Sequence, residues 1–135
     1  SVFPMHFICC CPSEFEPDSK TIAMVDNSTE STFELSHDPS SAVDGADVVY
    51  TDVWASMGQK DEAEEREKLF ADFQVNENLM EKTGKDSLFL HCLPAERGRE
   101  VSDGVMEASY SVVFDEAENR MHVQNAIMVS LNTFK

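Results

Sequence analysis

No apolar run in this sequence approaches the roughly 20 residues that a membrane-spanning helix needs. Its opening residues, Ser1-Val2-Phe3-Pro4-Met5-His6, carry no basic segment followed by an apolar stretch, so no export signal is read there. The expectation is a protein that works in water. Basic residues are scarce: ten Lys and Arg stand against 26 Asp and Glu, a formal charge of −16. Such a surface repels phosphate backbones and anionic lipid, which makes nucleic acid and membranes poor partners. Spaced cysteine pairs are absent as well. Cys9, Cys10 and Cys11 are consecutive and Cys92 stands far away. Neighbours on a strand point to opposite faces, so the triplet cannot supply a disulfide framework, and a reducing compartment is expected. With no Cys-x-x-Cys and no nearby pair of histidines, no metal or cofactor is expected, and the triplet reads as small apolar strand residues. At 135 residues the chain has room for one domain with a real core and not for two. It does not begin with Met and runs straight into strand-like sequence, from which we expect that it was cut from something longer.

What is present is an alternation of strand-like and helix-like segments. Met5 to Cys11 reads as a strand stopped by Pro12, with a turn through Glu14-Phe15-Glu16-Pro17-Asp18 behind it. Lys20 to Asp26 can form a short helix, Ser31 to Leu35 a second strand, and His37 to Val43 a helix opened by a cap and a proline and closed by Gly45. Val48 to Thr51 makes a third strand. The charged run Asp61 to Phe70 reads as a wet helix, with Glu62 four residues before Arg66 and Glu64 four before Lys68. Val75 to Lys82 is expected as a further helix with Leu79 and Met80 inward. Ser87 to Leu90 is the fourth strand, Ser102 to Ala108 a helical turn, and Ser111 to Phe114 a fifth strand. A last helix starts at Asp115, capped by that acid with Glu118 three residues on, and buries Ala126, Ile127, Val129 and Phe134. Strand and helix in alternation imply βαβ units. The fold class expected is therefore α/β, doubly wound, with a mainly parallel sheet and helices on both faces.

In a parallel sheet the residues just after each strand gather on one edge, where open α/β sheets bind their ligands. That edge would hold Asp52 and the Ser56-Met57-Gly58 loop after the third strand and His91-Cys92-Leu93-Pro94 after the fourth. Arg120 would follow in the first turns of the last helix. An acid, a thiol and a guanidinium would converge, a set suited to a cationic ligand held by Asp52 and an anion held by Arg120. Each residue also has a plainer role open to it. Asp52 can cap a turn, Cys92 can be a small buried side chain, and His91 can satisfy backbone carbonyls. Arg120 sits against the helix dipole, which favours a functional reason for it.

The order of the motifs adds to this. Ala46-Asp47-Val48-Val49-Tyr50-Thr51-Asp52-Val53-Trp54-Ala55-Ser56-Met57-Gly58-Gln59, then Phe89-Leu90-His91-Cys92-Leu93-Pro94-Ala95, then Val113-Phe114-Asp115-Glu116-Ala117-Glu118-Asn119-Arg120 resembles the carboxy-terminal half of ornithine carbamoyltransferases. The likeness runs from about Met5 to the end and includes Phe15-Glu16-Pro17-Asp18. The resemblance implies a Rossmann-like domain that transfers a carbamoyl group from carbamoyl phosphate to the δ-amine of L-ornithine, giving L-citrulline and phosphate. It implies Asp52 and Cys92 as the catalytic, proton-handling pair, with Asp52, Ser56 and Met57 on ornithine. Cys92, Leu93 and Arg120 would then lie at carbamoyl phosphate. It further implies a homotrimer in the cytoplasm or the mitochondrial matrix.

The sequence departs from that family by absence. It contains neither the Ser-x-Arg-Thr-Arg phosphate loop nor the His-Pro-x-Gln segment of the family's amino-terminal domain, and no counterpart of the first strand and helix of the ornithine domain. Residues 1–135 are accordingly expected to be a partial ornithine-binding domain with the carbamoyl-phosphate domain absent. A sheet lacking its middle strand has unpaired edges, so the chain alone is expected to be inactive and marginally stable. Two other readings remain in view. One is an inactive module that binds amino acids or a partner protein. The other is a sister transferase for an amine such as putrescine, against which the Ser56-Met57-Gly58 loop argues.

Overall fold

The structure, a computed structural model, describes residues 4–26, 30–55 and 60–133, with side chains at 26 and 60–64 left aside. Four strands are described: β1 (His6–Cys10), β2 (Thr32–Ser36), β3 (Val48–Thr51) and β4 (Leu88–His91). Six α-helices accompany them: α1 (Ser19–Asp26), α2 (Pro39–Ala42), α3 (Lys60–Phe70), α4 (Glu77–Glu81), α5 (Asp103–Met106) and α6 (Val113–Thr133). All pairing is parallel. β1 runs beside β2 from His6↔Thr32 to Cys10↔Ser36, and β3 beside β4 from Val48↔Leu88 to Thr51↔His91. Among the described residues these form two separate pairs, and β1 is not hydrogen-bonded to β3. The chain is thus a parallel α/β fold, as its alternation predicts, with the sheet in two halves.

Local chemistry sets the element ends. Asp18 opens α1 by accepting from the backbone N–H groups of Lys20 and Thr21. Asp38 opens α2, with Pro39 behind it, by accepting from Ser40 N–H at 3.0 Å. Asn76 caps α4 and Ser102 caps α5 in the same manner. Each cap satisfies a donor that the first helical turn leaves orphaned, worth about 1 kcal/mol. Leu79 and Met80 are buried, as their spacing predicts.

Phe89, Val101, Val105 and Val113 have no exposed surface and form the middle of the core, with Val43, Val49, Val75 and Met106 around them. A second, aromatic cluster lies where the chain leaves β3. There Phe70 packs against Phe15, Trp54 and Phe73 at ring separations of 4.9, 5.9 and 5.9 Å. Arg66 stacks over Phe15 at 5.1 Å and donates to the Trp54 carbonyl.

The carboxy-terminal third differs from the expectation in two ways. The fifth strand reduces to a single parallel bridge, Phe89↔Ser111. Phe89 N–H donates to Tyr110 and Val112 N–H donates to Phe89, after which α6 begins at Val113, two residues before the expected cap. The reason is that Val112 already accepts the first helical bond, from Glu116 N–H. The buried stripe is also absent: Ala126 is exposed, Ile127 and Val129 are 52% and 67% exposed, and Phe134 lies outside the described residues. α6 meets the body of the fold through its first turns against β4, and Val113 is its one buried residue among those described.

Candidate functional site

Because Thr51 and His91 are register partners, the next residues along each strand, Asp52 and Cys92, emerge side by side. The Cys92 thiol donates to Asp52 Oδ1 at 3.1 Å, and the same oxygen accepts from Val53 N–H at 2.7 Å. Burial pushes the thiol above its ordinary value, and the hydrogen bond and charge of Asp52 push it further. The thiol is therefore protonated near neutral pH and serves as a donor that orients the carboxylate.

His91 is fully buried behind this pair. Leu93 N–H donates to its Nδ1 at 2.9 Å, so Nδ1 is an acceptor and Nε2 carries the proton, which points at Glu100 Oε1 3.1 Å away. Glu100 is itself fully buried and accepts from Glu96 N–H as well. Leu93 lies in the left-handed region at φ +53°, ahead of a cis Leu93–Pro94 peptide bond. The positive φ costs a leucine roughly 1–2 kcal/mol, which the bond to His91 helps offset. Ligand atoms of Asp52, His91 and Cys92 lie within 4.8 Å of one another. A metal there would have to displace the Leu93 N–H from Nδ1 or Glu100 from Nε2.

Asp52 lines a cavity of about 370 Å³ between the strand pairs, bounded by Cys10, Val49, Tyr50, Trp54, Phe70 and neighbours. Arg120 lines a different, more open hollow of about 670 Å³ with Leu90, Glu116 and Asn119. Its Nη1 lies 3.5 Å from the Cys92 carbonyl oxygen. The structure thus brings Asp52, Cys92 and Leu93 together with Arg120 at their rim. Ser56 and Met57 lie outside the described residues.

Three residues belong to this arrangement that sequence reasoning passed over. Tyr50 donates to Glu116 Oε1 at 3.1 Å, and Glu116 Oε2 accepts from His91 N–H at 3.1 Å. Burial raises the Tyr50 phenol well above its usual range, and the bond to Glu116 adds to this. Glu116 has the look of one more acid in a helix first turn, and Glu100 that of a solvated loop charge beside Arg97 and Arg99. For Tyr50 the one available signal is its place two residues before Asp52.

A parallel α/β chain whose acid and thiol meet at adjacent strand ends is a Rossmann-like domain, and open α/β sheets bind their ligands at the edge where such strand ends gather. Residues 1–131 match the family model described as "Aspartate/ornithine carbamoyltransferase, Asp/Orn binding domain". The chain belongs to that family. It is 60% identical over 129 residues to the chloroplastic ornithine carbamoyltransferase of Pisum sativum, a match covering 96% of this chain and 34% of that protein. The ornithine carbamoyltransferase structure from Pyrococcus furiosus superposes with TM-score 0.82 at 52% identity, over 90% of this chain and 40% of that one. The anabolic ornithine carbamoyltransferase of Campylobacter jejuni gives 0.88 at 33%, over 98% and 45%. This chain therefore spans between a third and a half of the length of these relatives. No helix among the described residues is long and apolar enough to cross a membrane.

Proposed function

We propose that residues 1–135 supply the amino-acid-binding wall of a site that transfers a carbamoyl group from carbamoyl phosphate to the δ-amine of L-ornithine. The observation that carries this is the Asp52–Cys92 pair, presented by two register-matched strand ends in a chain whose relatives are named ornithine carbamoyltransferases. An alkylammonium with a pKa near that of lysine, about 10.4, is no nucleophile until it loses a proton. Asp52 pairs with that ammonium and orients it, while the Cys92 thiol donates to Asp52 and fixes its orientation. Because a carboxylate alone favours the charged form, the proton the amine loses is handed on through the Asp52–Cys92 pair to water or to the departing phosphate. The freed nitrogen then bonds to the carbamoyl carbon, the bond from that carbon to the phosphate oxygen breaks, and citrulline and inorganic phosphate leave. Ser56 and Met57 hold the amino-acid end of ornithine, and Cys92, Leu93 and Arg120 meet carbamoyl phosphate, with Arg120 offering paired donors to an oxyanion.

In this reading the domain is the ornithine-binding one, and the groups that hold most of the phosphate lie outside these 135 residues. The working form is a homotrimer, in the cytosol or in an organelle matrix such as that of mitochondria. The test is citrulline formation by the full-length gene product that carries this sequence, compared with its Cys92→Ala variant and with the 135-residue chain alone. Citrulline from the full-length product, with the short chain inactive, is expected. Turnover by the short chain above its own Cys92→Ala control overturns the division of labour. Absence of turnover in the full-length product, together with ornithine binding to it by calorimetry, would favour a binding module instead.

A further inference from the structure

We propose that Glu116 is a positioning residue, whose carboxylate staples the first turn of α6 across the ends of β3 and β4 and thereby fixes where the Arg120 guanidinium stands beside Cys92. An acid in a helix first turn ordinarily works on its own helix, by capping a free N–H or by meeting the positive end of the dipole. Glu116 stands in that first turn, yet both its oxygens bond to other elements. Oε1 accepts from the Tyr50 hydroxyl on β3 and Oε2 from the His91 N–H at the end of β4, each at 3.1 Å. One side chain thus ties three elements. Arg120 follows four residues later, about one turn and 6 Å along the same helix face, and both residues line the same hollow. Val113 and the Val112 N–H bond to Phe89 anchor the start of α6, and beyond them the helix has no buried residue among those described, so past that anchor the two Glu116 bonds carry the placement of the turn. The long 3.5 Å approach of Arg120 to the Cys92 carbonyl is too weak to do so by itself.

The inference rests on the transfer reading for the role of Arg120 but not for the staple itself, and the test separates the two. In the full-length gene product, Glu116→Ala is expected to raise the KM for carbamoyl phosphate about tenfold and leave the ornithine KM within about twofold, since a misplacement of about 1 Å at a binding group has effects of that order or more. Glu116→Gln is expected to stay within about threefold of the parent, because its amide oxygen can accept from His91 N–H while its amide nitrogen donates to the Tyr50 oxygen. In an Arg120→Ala background, Glu116→Ala is expected to add less than about twofold. An equal effect in both backgrounds, or one falling on the ornithine KM, overturns the proposal. Should Glu116→Ala fail to fold, Tyr50→Phe removes one of the two bonds and is expected to raise the carbamoyl-phosphate KM about threefold; no change overturns the proposal.

Hydrogen exchange at the His91 amide reads the staple without any turnover. It should quicken by about tenfold or more in Glu116→Ala relative to the Phe89 amide, reflecting loss of a charge-assisted bond. If the parent makes no citrulline but exchange quickens as stated, the transfer reading fails and the staple stands. Unchanged exchange overturns the staple whatever the kinetics.

Discussion

Asp52→Asn removes one charge and almost nothing else. Asp52 Oδ1 accepts from Val53 N–H at 2.7 Å and from the Cys92 thiol at 3.1 Å, and an asparagine carbonyl can accept both. The two strand ends therefore stay joined while the group proposed to pair with the ornithine ammonium becomes neutral. Opposite charges 4 Å apart attract by about 1 kcal/mol in bulk water and about 4 kcal/mol at an effective dielectric of about 20. Asp52 is exposed, yet it borders the 370 Å³ cavity, so its environment falls between these limits. A loss of about 2–3 kcal/mol follows, or roughly 30- to 150-fold in kcat/KM for ornithine at pH 7. The assay is citrulline formation by the full-length gene product with carbamoyl phosphate saturating and ornithine varied. The gap should narrow from pH 7 to pH 9, because the neutral amine, about 1 in 2,500 at pH 7, becomes commoner as its pKa of about 10.4 is approached. A loss smaller than about threefold at pH 7, or one confined to the carbamoyl-phosphate KM, would show that Asp52 does not meet the ammonium.

Three other outcomes are expected. With Cys9, Cys10 and Cys11 replaced by alanine, Cys92 should react with iodoacetamide more slowly than a free cysteine at pH 8, since burial and then Asp52 raise its thiol; Asp52→Asn should speed the reaction, and a slower variant would contradict the geometry. The fold should lose stability in alkali. Cys11 is pushed up from 9.0 to about 11, first by burial and then by its cysteine neighbours, so its contribution is whole below pH 9.0 and is lost as pH rises through about 11. Cys10, Cys92 and Tyr50 are raised too and act in the same direction. Urea midpoints should accordingly fall from pH 9 upward, and less steeply in Cys11→Ala; a flat profile would refute the sign. Phe89→Ala, at a site with no exposed surface in the middle of the core, should cost about 3–5 kcal/mol by urea unfolding, and a cost below about 1.5 kcal/mol would show a core that collapses around the cavity.

The meeting of Asp52 and Cys92 is legible in the sequence, because it needs only two strands, a common direction and the rule that strand ends share an edge. Pro12, Asp38 with Pro39, and Gly45 likewise mark boundaries by backbone chemistry that is local to them. What escaped is non-local. The fifth strand failed because Ser111 makes its single bridge to Phe89 and the chain turns into a helix as soon as Val112 accepts from Glu116. The apolar stripe of α6 has helical spacing, but spacing says which residues share a face and not whether anything covers it. Glu116 and Glu100 were invisible because an acid in a helix first turn or beside arginines is nearly always solvated. Only the packing shows that one spans to Tyr50 and His91 and that the other is sealed behind His91.

The register of β3 against β4 has a bearing on how such a site can change. Asp52 and Cys92 keep their spacing through the pairing of β3 with β4 and their own hydrogen bond, with Val53 N–H holding the same carboxylate oxygen, rather than through the length of chain that joins the two strands. Substitutions at Trp54, Phe70 and Phe73, which border the cavity without belonging to the central core, can reshape what the cavity admits while the acid–thiol pair stays in place. The proposed ligand preference and proton handling thereby become separately mutable traits, and a library confined to Trp54, Phe70 and Phe73 should alter the first without erasing the second.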